Sequence, residues 1–334
     1  MDISWIGLLL ILLGGVMQGG FTIPQKFLKG WRWEMGWLVY SIAAMIVLPW
    51  TMVLATIPDP VAVYSAAGAR SILLAAVFGM GWGIGSVFFG LGVAELGTAL
   101  GFAIIMSLIA ALGSIIPLAV QHPDQLLTGR GMLLFLGLAI VILGVALCSK
   151  AGALREAAAP KKTGNFVRGL ILCILSGALS PMFNFAVAFL DDIAGLAQAQ
   201  GVSSATASVT KIAVAISSGF IANAGYCLYL LRKNGGWKNA VPGAVPRNVL
   251  LAAAMGVLWF FGMYFYGQGA AHMGQYGAVF GWPLFMTAIL LVANLLGLLT
   301  GEWRGAGARA VRLLALGNAA MVAAVIVISI GSRP

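Results

Sequence analysis

Long apolar runs alternate along the chain with short polar connections. Ten runs approach the roughly 20 residues that an α-helix needs to cross a bilayer. They cover residues 3–24, 35–57, 71–93, 97–121, 130–150, 166–189, 206–231, 248–271, 275–300 and 310–331. Within each run hydrophobicity is continuous rather than alternating with period two, so the pattern predicts helices and not barrel strands. Short connections such as Ala94-Glu95-Leu96 make neighbouring spans antiparallel hairpins. The most polar connection carries Lys150, Arg155, Glu156, Lys161 and Lys162 around Pro160. It divides the chain into a first set of five spans over 1–150, a linker over 151–165 and a second set of five over 166–334.

One stretch occurs twice. Gly79, Trp82, Gly85, Phe88, Gly90, Gly92, Ala94 and Gly97 recur at a constant offset of 177 as Gly256, Trp259, Gly262, Phe265, Gly267, Gly269, Ala271 and Gly274. Glycine and alanine align readily in any membrane protein, but the Trp82/Trp259 and Phe88/Phe265 matches mark a duplication. Each half has an odd number of spans, so the second copy is inverted in the membrane relative to the first. Inverted repeats are a recurrent build of secondary transporters, whose halves rock about a site near the midplane.

Composition changes the picture in one respect. With 61% hydrophobic and 8% charged residues and a mean hydropathy of +1.01, the chain needs lipid as its solvent. The formal net charge of +10 reports topology rather than nucleic acid, because no basic face with interleaved aromatics exists. Fifteen of the nineteen Lys and Arg lie in connections after odd-numbered spans; only Arg70, Arg130, Lys211 and Arg333 fall on the other side. Cytoplasmic loops carry such an excess, which places both termini outside the cytoplasm. The start, Met1-Asp2-Ile3-Ser4-Trp5, lacks a basic leader and reads as a retained span. Cys148, Cys173 and Cys227 all lie in apolar runs and form no disulfide framework or metal spacing.

The motifs Lys29-Gly30-Trp31-Arg32-Trp33-Glu34, Leu48-Pro49-Trp50, Trp82-Gly83-Ile84-Gly85, Gly90-Leu91 with Leu96-Gly97, Gln275-Tyr276 and Glu302-Trp303 resemble the L-rhamnose–proton symporter family. That family belongs to the drug/metabolite transporter superfamily of five-plus-five helix proteins. The resemblance covers nearly the whole chain. It implies an all-α inner-membrane protein that takes up a 6-deoxyhexose with a proton, without ATP. Spans 1–4 and 6–9 then enclose the site, and spans 5 and 10 buttress it. The family's Gln-Tyr is closely followed by an acid, where this chain has Gly277. The alternatives are an exporter of an amphipathic metabolite and a sodium-coupled sugar carrier.

The candidate chemistry fits a neutral polyol. No His-Glu-x-x-His, Cys-x-x-Cys or phosphate loop is present, so no enzyme, cofactor or metal is expected. A sugar needs rings for stacking and amides or hydroxyls for directional hydrogen bonds. Spans 1, 3 and 6 offer Gln18 and Thr22, then Trp82, Ser86 and Phe89, then Asn184 after Ser180-Pro181; spans 8 and 9 offer Tyr264, Gln268, Gln275, Tyr276 and Trp282. The amides are expected to converge on one midplane cavity with Trp82 or Tyr264 on its wall. Trp31, Trp33, Trp50, Trp237 and Trp303 flank spans and read as interfacial anchors. All nine acids fall at span ends or in connections; Glu34 and Glu95 border the repeated core on the cytoplasmic side and are the proton-coupling candidates. Sodium would instead bind unwound carbonyls near Gly19-Gly20 or Ser180-Pro181.

Overall fold

The computed structural model describes residues 5–156, 165–235 and 244–332. Asp2, Pro160, Lys161, Lys162, Trp237 and Arg333, all invoked above, lie outside the described residues. Within them the fold is all-helical, with ten spans long and apolar enough to cross a membrane. Span 1 is α1 (Trp5–Gly20) running into a 3-10 turn (Ile23–Phe27), and span 2 is α2 (Trp33–Ile42), a wide π turn (Ala43–Val47) and α3 (Leu48–Thr56). Then come α4 (Pro60–Leu96), α5 (Thr98–Gln121) and α6 (Gly129–Glu156). Span 6 is broken into α7 (Phe166–Leu179), α8 (Met182–Phe189) and α9 (Asp191–Gln198). The last four are α10 (Ser204–Asn234), α11 (Val245–His272), α12 (Gly277–Leu299) and α13 (Gly307–Gly331).

Several spans exceed their hydropathic outline. The third begins at Pro60 rather than near 71, because Asp59 caps the amide of Ala62 and Pro60 occupies the first turn. It bends at Gly68, whose φ of 72° only glycine adopts without strain. Span 6 continues past 189 to Gln198 through a second break at Leu190. α6 continues to Glu156, into the region outlined as linker.

Prolines inside the spans leave carbonyls without their helical donor, and lipid supplies no substitute. Pro49 cannot serve the Met45 carbonyl; the helix widens there, and Ser217 Oγ of α10 donates to Met45 O at 3.1 Å. Pro117 likewise frees the Gly113 carbonyl of α5, and Asn184 Nδ2 of α8 donates to it at 2.7 Å. Trp50, outlined as an interfacial anchor, instead donates its indole N–H to Ser217 Oγ at 2.8 Å and packs on Tyr64.

α1 packs on α11 and α12, α4 on α7 and α10, and α6 on α13. Glycines make the close approaches. Gly85 of α4 lies against Ser180 after α7, and its repeat counterpart Gly262 lies against Gly14 and Gln18 of α1. Gly92 meets Cys173 of α7 while Gly269 meets Gly7 and Ile11 of α1. Gly79 meets Ala215 of α10 while Gly256 meets Tyr40 and Ala43 of span 2. Polar contacts tie the two ends separately. At one end Lys26 bonds Glu302, Asn248 holds both the N–H and the carbonyl of Lys29, and Arg168 pairs with Glu95 at 3.5 Å. At the other, Gln200 brackets the Asp59 backbone, Ser71 bonds Asp192 and His122 Nε2 lies 3.2 Å from Gln275 O.

A Cβ at position 79 would overlap the Ala215 carbonyl, whereas one at Gly90 meets nothing within 4 Å. Gly79→Val should therefore destabilise the fold by about 1–3 kcal/mol and Gly90→Ala should not, as read by thermal unfolding in detergent. The Lys26 ammonium holds the Glu302 carboxyl below its ordinary value of 4.5, with burial opposing and Arg155 assisting. A lowered carboxylate pKa stabilises the fold above the unfolded value, and this contribution is lost as pH falls through the folded one. Both groups are partly exposed, so the gain is at most about 1 kcal/mol. The difference in melting temperature between wild type and Glu302→Gln should be present at pH 6 and be lost as pH falls below 4.5.

Candidate functional site

The two tryptophans of the repeated stretch meet at the centre of the bundle. Trp82 of α4 and Trp259 of α11 have ring centroids 5.4 Å apart at an interplanar angle of 32°. Both are buried. Gln18 of α1 is buried against the second ring; with its amide oriented to satisfy both groups, it donates to Trp259 O at 3.1 Å and accepts from Trp259 Nε1 at 2.7 Å. Rings continue the line in both directions. Tyr40 of α2 stands edge-on to Trp259 at 6.2 Å, and Phe183 of α8 lies 6.1 Å from Trp82. Beyond Phe183 come Trp282 of α12 and Tyr266 of α11, whose centroids are 5.4 Å apart.

Two polar knots flank this line. One turn after Trp82, Ser86 Oγ accepts from Asn223 Nδ2 of α10 at 3.1 Å, and the indole N–H of Trp37 reaches Asn223 Oδ1 at 3.4 Å. On the other flank Asn184 accepts from the Tyr266 hydroxyl and donates to Gly113 O and to Ala278 O, at 2.7 and 3.0 Å. Asn184 is fully buried and bonded at both ends, so it joins α5, α8, α11 and α12. Trp282 likewise spends its N–H on Ile109 O at 3.0 Å.

The structure thus gathers Gln18, Trp82, Ser86, Asn184 and Trp282 and leaves six candidates elsewhere. Tyr264 and Gln268 lie one turn apart on α11, with Tyr264 among Phe260, Phe261 and Phe265. Phe89 pairs with Phe102 of α5 at 5.6 Å. Thr22 is exposed in the turn after α1. Gln275 and Tyr276 lie in a 3-10 turn opened by Gly274, at φ 71°, between α11 and α12. They are therefore at the end of the bundle and not at mid-depth; Tyr276 packs on His122 at 4.5 Å and beneath the Arg130 guanidinium. A cavity of about 370 Å³ adjoins Tyr276. Another of about 280 Å³, between Phe102, Cys148, Asn294 and Trp303, is lined by none of the candidates.

The two acids also differ. Glu34 is fully buried in the first turn of α2 and accepts from Arg32 Nε at 2.7 Å and from Asn234 Nδ2 of α10 at 3.1 Å; its Oε2 has no partner. Glu95 is partly exposed and occupied by the Asn165 N–H at 2.9 Å and by Arg168. Sequence reasoning missed Trp37, Tyr40, Asn223, Trp259 and Tyr266. The duplication was the available signal for two of them, since Trp259 matches Trp82 and Tyr266 stands at the position of Phe89. Lys211, counted only among the charges of the non-cytoplasmic side, is buried within α10.

Ten helices long and apolar enough to cross a bilayer, around a core of amides and indoles, make this a multi-pass membrane protein. The family model of the L-rhamnose-proton symport protein (RhaT) matches residues 2–333, and the chain belongs to that family. It is 30% identical over 340 residues to the L-rhamnose-proton symporter of Shigella sonnei, covering 98% of this chain and 97% of that one. It is equally similar, at 30% and the same coverages, to the symporters of Cronobacter sakazakii over 335 residues and of Klebsiella pneumoniae over 339. The family and the ten spans place the protein in the bacterial inner membrane.

Asn184→Ala would leave the Tyr266 hydroxyl and the Gly113 carbonyl unpaired in the core. It should cost about 1–3 kcal/mol of stability, whereas Gln275→Ala, at an exposed side chain, should leave thermal unfolding unchanged.

Proposed function

We propose that the protein imports L-rhamnose or a similar 6-deoxyhexose together with a proton, by alternating access between two inverted halves with both termini extracytoplasmic. Membership of the family over nearly the whole chain supports the substrate and the ion. The observation that carries the site is the Trp82–Trp259 pair, in which repeat-equivalent rings from the two halves face each other beside Gln18. Indole faces suit the apolar face of a deoxysugar, and the Gln18 and Ser86–Asn223 groups can exchange their mutual bonds for sugar hydroxyls. The matched glycine contacts support the inverted halves: Gly85 and Gly92 meet span 6 as Gly262 and Gly269 meet span 1. Rocking of one half on the other would open each side of the pair in turn.

Glu34 is the proton carrier in this reading. Its carboxylate is enclosed between α2 and α10 beside Arg32, with one oxygen that no donor reaches, and that oxygen is where a proton would sit. Glu95 is already paired and serves the hairpin. In proteoliposomes, a pH gradient should drive wild-type accumulation of L-rhamnose. Glu34→Gln should abolish that accumulation while preserving sugar exchange, and Glu95→Gln should accumulate. Accumulation by Glu34→Gln would remove Glu34 from the mechanism, and uptake driven only by a sodium gradient would refute proton coupling.

A further inference from the structure

Lys211 is buried to 4% exposure two turns into α10, inside a membrane span. An ionisable side chain there is costly and needs a specific partner. Its ammonium donates to Val187 O and to Asp191 Oδ1, both at 2.5 Å. These acceptors flank the second break in span 6. α8 ends at Phe189, so Val187 and Ala188 belong to its last turn, whose carbonyls lack helical donors. α9 begins at Asp191, and Leu190 between them has a non-helical backbone. The neighbouring Ala188 carbonyl is taken by Gln121 Nε2 of α5 at 2.6 Å. A broken helix therefore presents a carbonyl end and a carboxylate to one point, and a positive charge from the same chain fills it.

We propose that the α8–α9 break is a monovalent-cation site occupied by the protein's own Lys211 ammonium. In cation-coupled carriers, unwound carbonyls and half-helix C-termini hold sodium. Here Val187 O and the Asp191 carboxylate offer the same oxygen chemistry, and the tethered ammonium excludes the free ion. This site lies at Val187–Asp191, away from the Gly19-Gly20 and Ser180-Pro181 turns that the sequence singled out. The inference concerns the ion alone and does not depend on the identity of the sugar.

The test is thermal unfolding of purified protein against sodium chloride, with choline chloride at equal ionic strength as the control. Lys211→Ala empties the point between the oxygens and should acquire a saturable, sodium-specific rise in melting temperature. Lys211→Met, which fills the same space without charge, and wild type should show none. Adding Asp191→Asn to Lys211→Ala should remove the response. A folded Lys211→Ala protein without a sodium response, or an equal response in wild type, would overturn the proposal. If Lys211→Ala does not fold in either salt, wild type decides through uptake. Sugar accumulation on a sodium gradient at matched pH would show that the ammonium does not keep sodium out, and indifference to sodium is the expected result.

Discussion

A backbone carbonyl freed inside a bilayer must find a donor within the protein, because lipid offers none. Four such carbonyls organise this structure. Met45, freed by Pro49, takes the Ser217 hydroxyl; Gly113, freed by Pro117, takes the Asn184 amide. At the end of α8, Val187 takes the Lys211 ammonium and Ala188 takes the Gln121 amide. Each donor comes from a different span than its acceptor. The irregular helices are therefore held by their neighbours, and these bonds fix where the aromatic core can stand. Asn184 shows the coupling most directly: the amide that repairs α5 also orients Tyr266, which packs on Trp282.

Glycine contacts supply the second layer of organisation. Apolar side chains gain little by associating in lipid, so close backbone approach and dispersion do the packing. α4 and α11 use the same glycine positions for this purpose, one toward α7 and α10, the other toward α1 and span 2. The small residues matched in the sequence are thus the ones each of these helices uses against its own neighbours.

Ten spans and the break at Ser180-Pro181 were legible in the sequence, because hydropathy and proline are local signals. The partners of the amides were not. Asn184 and Gln275 look equivalent as polar residues in apolar runs, yet one repairs a proline-broken helix and the other stands exposed beyond a left-handed glycine. Distinguishing them required knowing that Pro117, 67 positions before Asn184, comes alongside. Lys211 counted only as a charge of one membrane side for a related reason: its acceptors lie at a helix break in another span. Trp50 was read as an anchor because hydropathy cannot see Ser217.

The wide turn in span 2 ties together residues that inheritance would otherwise treat separately. Ser217 donates to the carbonyl that Pro49 abandons and accepts from the indole of Trp50. A residue at 49 that carried its own N–H would compete for Met45 O and leave the Ser217 hydroxyl without its role. Loss of the hydroxyl, with proline retained, would leave both the carbonyl and the indole unpaired against α10. Drift at 49, 50 and 217 is therefore constrained jointly, and a lineage that straightens this helix has to change at least two distant codons together.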